Sequence, residues 1–63
     1  METNEMNFIL EALAKARGKT MPISSMNCQY SLAGHKGLLE VIHLLIESNK
    51  IEILNETHLR LIS

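Results

Sequence analysis

The chain has 63 residues, 46% of them hydrophobic, with one Phe, one Tyr and no Trp. That composition fits one small domain with an aliphatic core, near the size at which a single core barely suffices. Six Lys and Arg against seven Asp and Glu leave a formal net charge of −1, without the positive excess that phosphate contacts usually bring to a nucleic-acid binder.

The single Cys28 excludes an internal disulfide framework and fits a reducing compartment. No apolar run approaches the roughly 18 residues of a membrane span. The start, Met1-Glu2-Thr3-Asn4-Glu5, is acidic and polar, the opposite of a secretory signal. A cytoplasmic protein that does not engage membranes is the expectation.

Residues 1–5 are expected to stay loose, with Thr3 or Asn4 available as a helix cap. From Glu5 to Arg17 the pattern is helical. Met6, Ile9, Leu10, Leu13 and Ala16 form one face, opposite Asn7, Glu11 and Lys15. Phe8 lies at the edge of the polar face. Gly18 is a natural stop, and Lys15 and Arg17 suit the negative end of the helix dipole.

Gly18 to Met21 reads as a short connection, and Pro22 suits the first turn of a new helix. Residues 22–29 form either a brief helix, with Ile23, Met26 and Cys28 inward, or a loop with a single turn. Ser24, Ser25 and Asn27 are weak helix formers, which leaves both open. Gln29 to Gly34 is expected to be a turn, with Ser31 capping the next helix and Gly34 and Gly37 in its first turn.

That helix is predicted from near His35 to near Ser48. Leu38, Leu39, Val41, Ile42, Leu45 and Ile46 fall on one side, with Lys36, Glu40, His43 and Glu47 on the other. Asn49 suits the left-handed residue at its end. The period then changes to two: Ile51, Ile53, Leu59 and Leu61 alternate with Glu52 and Arg60 around Asn55-Glu56-Thr57. A β-hairpin follows, with Ile53 and Leu61 on one buried side. The fold class is α+β: two to three helices, then a C-terminal hairpin, in one domain over residues 1–63. A dimeric three-helix bundle would replace it if residues 50–62 were helical.

Nothing reads as an enzyme site. No nucleophile elbow, phosphate loop or pair of carboxylates occurs. Gly34-His35-Lys36-Gly37 lacks the strand and the frame of a phosphate loop. Cys28, His35, His43 and His58 are spaced by seven, eight and fifteen residues, unlike the short paired spacings of zinc ligands. Neither a metal nor another cofactor is expected.

The order of these elements, and above all Leu45-Ile46-Glu47-Ser48-Asn49-Lys50-Ile51-Glu52-Ile53, resembles the helix-to-wing junction of the winged helix-turn-helix superfamily. In size the chain is similar to small regulators of phages and plasmids. The resemblance implies a DNA-binding transcription regulator, expected as a homodimer on double-stranded DNA. Residues 35–48 would be the recognition helix, with Ser31, His35, Lys36 and His43 as contacts and Arg60 reaching phosphate from the wing. Glu40 and Glu47 depart from that pattern by placing negative charge on the same face. The alternative is a module, inhibitor or adaptor that binds another protein through an exposed apolar patch built from Phe8, Tyr30 and Leu44.

Overall fold

A computed structural model describes residues 4–62. Three helices and a three-stranded antiparallel sheet make an α+β fold, with the hairpin at the C-terminal end. Helix α1 spans Asn4–Lys15 and buries Met6, Ile9 and Leu13, one side chain per turn along a single stripe. Asn4 and Glu5 are therefore helical rather than loose, and Glu5 sits favourably at the positive end of the dipole. The expected cap Thr3 lies outside the described residues. After α1 a 3₁₀ turn, Arg17–Lys19, reverses the chain through Gly18 at φ 67° and Lys19 at φ 55°.

Where a plain connection was expected, the chain adds a strand. β1, Thr20–Pro22, pairs antiparallel with β3 (His58–Leu61), setting Thr20 against Arg60, Met21 against Leu59 and Pro22 against His58. Three residues are too few to show a period of two, so this strand has no sequence signature. Pro22 cannot donate to a ladder, which confines β1 to the edge of the sheet.

Helix α2 spans Ile23–Leu32 and is longer than expected. Pro22 precedes it in extended conformation instead of forming its first turn, and the Ile23 N–H donates to the Thr57 carbonyl of the hairpin at 2.9 Å. At the far end the Gly34 N–H donates to Ser31 O at 2.9 Å and the His35 N–H to Tyr30 O at 3.2 Å. With Gly34 at φ 85° this is a Schellman cap. Several expectations change together. Gln29 to Leu32 is helix and not turn, Ser31 lies inside α2 and caps nothing, and Gly34 ends α2 instead of opening α3. Cys28 is exposed, not inward.

Helix α3 spans Leu38–Glu47 and starts three residues later than His35, behind Gly37 at φ 72°. It buries Leu38, Ile42 and Leu45 as its period requires, but Leu39 stays 68% exposed. It ends in the same cap as α2. Asn49, at φ 60°, donates to Ile46 O at 3.0 Å, and the Lys50 N–H donates to Leu45 O at 3.0 Å.

β2, Ile51–Leu54, and β3 then form the hairpin, with Ile51 opposite Leu61 and Ile53 opposite Leu59. The turn runs through Asn55 and Glu56, both with positive φ, and closes with the Thr57 N–H on Leu54 O at 3.1 Å. Strand order is β1-β3-β2. Ile51 and Leu59 are buried against the helices, and Ile53 and Leu61 share their face, as the alternation demands. Ile53 is nonetheless 43% exposed, because β2 is an outer strand and no helix covers that end.

Candidate interaction surfaces

At about 100° per residue, Glu40, His43 and Glu47 form the centre of the exposed side of α3. Leu39 flanks them on one shoulder and Leu44, 50% exposed, on the other. This surface carries two carboxylates and no Lys or Arg. Beside it an open groove runs between the start of α2 and the start of α3, lined by Ile23, Ser24, Asn27, Leu38, Leu39 and Glu40. The outer side of α2 adds Ser25, Cys28 and Gln29, all exposed and uncharged.

The residues expected to touch DNA fall on separate elements: Ser31, His35 and Lys36 around the end of α2, His43 on α3 and Arg60 on β3. Ser31 is exposed on α2, one residue before its end. His35 lies in the α2–α3 loop, half-buried, with its ring centroid 5.2 Å from Phe8 and 5.1 Å from Tyr30. Its Nδ1 is 3.7 Å from the Glu5 carboxylate. It is a packing residue whose neighbours hold it against the body of the protein. Lys36 is exposed in the same loop, and its carbonyl accepts the Tyr30 hydroxyl at 3.0 Å. His43 is exposed on α3 between the two glutamates. Arg60 stands on the sheet face turned away from the core, paired with Glu52 on the neighbouring strand. Half-exposed pairs of this kind add only about 0–1 kcal/mol, but this one already occupies the guanidinium.

Two of the three expected partner-binding residues also move inside. Tyr30 is 1% exposed and belongs to the core. Burial, and secondarily the nearby Glu5 charge, push its hydroxyl above the ordinary tyrosine pKa. Phe8 is half-buried and packs edge-on against Tyr30 at 5.9 Å. Only Leu44 remains on the surface. The reason is the length of α2: once the helix continues past Gln29, Tyr30 falls one turn beyond Met26 on the inward side.

Sequence reasoning missed where the cations gather. Lys15, Arg17 and Lys19 end α1 and fill the turn after it, Lys50 immediately precedes β2, and Arg60 lies near the end of β3. Thr20 pairs with Arg60, and the Ile62 N–H donates to Lys50 O at 2.9 Å, so all of these sit at one end of the sheet. Lys36 is the one Lys or Arg elsewhere. The hairpin turn, with Glu56, is at the opposite end. The pairing of β1 with β3 thus gathers five of the six cations at the end of the sheet remote from the hairpin turn, where Arg60 is paired with Glu52 and Lys50 lines a groove with Glu11.

Among the described residues no group of three or more His, Cys, Asp or Glu is placed to hold a metal, and no helix is long and apolar enough to cross a membrane. No protein-family model, curated protein or solved structure matches this chain.

Proposed function

We propose that this chain is a protein-binding module that takes its partner on the α2–α3 side, with Leu39 and Leu44 as apolar anchors and Glu40, His43 and Glu47 as the polar ground between them. The observation that carries the reading is the composition of the exposed α3 face: leucines and carboxylates, with no Lys or Arg. A helix entering the major groove would bring those carboxylates towards phosphates, which costs affinity where cations would add it. A partially apolar, mixed-charge face beside an open groove suits a protein surface instead. Replacing Leu39 or Leu44 by a photo-crosslinking residue in the cells that make the protein tests this. The expected result is a defined protein adduct from both positions, lost in Leu44→Asp and absent from a probe at Glu56. Adducts to nucleic acid from either position would refute it.

The second reading, a DNA-binding regulator, draws on the winged-helix-like order of helix, strand, helix, helix and hairpin. On that reading phosphate contact would fall to Lys15, Arg17 and Lys19. Reversing those three charges would then remove binding, whereas Lys36→Ala would leave it nearly unchanged.

A further inference from the structure

The two edges of the sheet are unlike. β1 is three residues long, ends in a proline without an N–H, and is preceded by the 3₁₀ turn. These features blunt an edge. β2 has none of them: Ile51-Glu52-Ile53-Leu54 is free of proline and of lysine, and has β3 on one side only. Hydrogen bonding to β3 runs through alternate residues. Since the Lys50 carbonyl accepts from Ile62, the residues of β2 that bond to β3 are the even-numbered ones. Ile51 and Ile53 therefore turn their N–H and carbonyl groups outward, and the exposed Ile53 side chain stands beside them.

We infer that β2 is a self-association edge: two copies pair antiparallel through Ile53 and join their sheets into one of six strands. A two-fold axis normal to the sheet keeps both core faces on the same side, and such an axis sets one residue against its own copy. Charge and the extent of β2 choose which. Centring on Glu52 puts two carboxylates face to face, and centring on Leu54 pairs only Leu54 within β2. Centring on Ile51 pairs only Ile51 within β2 and sets Ile53 opposite Asn49, outside the strand. Centring on Ile53 sets Ile53 on Ile53 and Glu52 on Leu54, all within β2, with no like charges opposed. That register also satisfies both outward groups of Ile53 and covers its side chain.

The test uses the full chain, short enough to make by chemical synthesis. Sedimentation should show a concentration-dependent dimer, as expected of a small interface. N-methylation of the Ile53 amide alters no bond within one copy, and it should leave only monomer at the same concentrations. In a Cys28→Ser background, Ile53→Cys should oxidise to a disulfide-linked dimer, since hydrogen-bonded antiparallel pairs have Cα atoms about 5.5 Å apart, within disulfide reach. Glu52→Cys should not. A wild type that stays monomeric, a dimer untouched by N-methylation, or preferential crosslinking at position 52 would overturn the inference. Circular dichroism of each variant separates loss of the interface from loss of the fold.

Discussion

Helices α2 and α3 are the same length, ten residues each, but are held as helices by different means. α3 is specified by its face. Leu38, Ile42 and Leu45 are buried, and Val41 and Ile46 pack beside them. α2 buries only Met26 and Tyr30 and exposes Ser24, Ser25, Asn27, Gln29 and Ser31, most of them poor helix formers. Its ends define it instead: Ile23 is tied to the hairpin at Thr57, and Gly34 closes the Schellman cap. A helix with a weak stripe thus persists where both termini are anchored to the rest of the fold.

The comparison can be broken most severely from the side of α3. Leu45→Ala should cost about 2–5 kcal/mol, comparable to the whole stability of a domain this small. Urea unfolding of the variant should show a lost or strongly shifted transition. Next comes the end of α2. Gly34→Ala should cost about 1–2 kcal/mol. No atom lies within 4 Å of a Cβ built there, so the loss is backbone conformation alone. At the equivalent position of α3, Asn49→Gly should do the reverse and stabilise by a few tenths to about 1 kcal/mol. Opposite signs would show that both caps demand a left-handed residue, and equal signs would show that they do not.

A smaller effect isolates the link between the helices. Tyr30→Phe deletes the hydrogen bond to the Lys36 carbonyl and should cost about 0.5–1.5 kcal/mol at neutral pH. The same variant has a pH signature. The Tyr30 hydroxyl is raised in the folded state, chiefly by desolvation, so the folded protein holds that proton more tightly than the unfolded chain. Its contribution is complete below the unfolded value of about 10 and is lost as pH rises through the higher folded value. Wild type should therefore lose stability more steeply than Tyr30→Phe in the alkaline range.

The same contrast explains what was legible in the residues alone. α1, α3 and the hairpin carry their periods openly, and Asn49 announces its own turn. β1 carries no period because three residues are too few to show one. α2 was cut short because its serines and asparagine look like loop, although Tyr30, Gly34 and His35 repeat the spacing of Leu45, Asn49 and Lys50 at the end of α3. Reading Gly34 as a cap would have extended α2 and moved Tyr30 and His35 inward. The exposure of Leu44 was legible because its angle departs from the apolar arc of its own helix. The gathering of the cations was not, because it depends on strand pairing.

The most direct test of the α3 surface as a protein-binding face is a titration of the isotopically labelled chain with random duplex DNA at low salt, followed residue by residue by NMR. No saturable shift changes are expected at Lys36 or along residues 38–47, and no strengthening in Glu40→Gln. Saturable changes at Leu39, Glu40 and His43 that vanish steeply with salt would contradict the protein-binding reading.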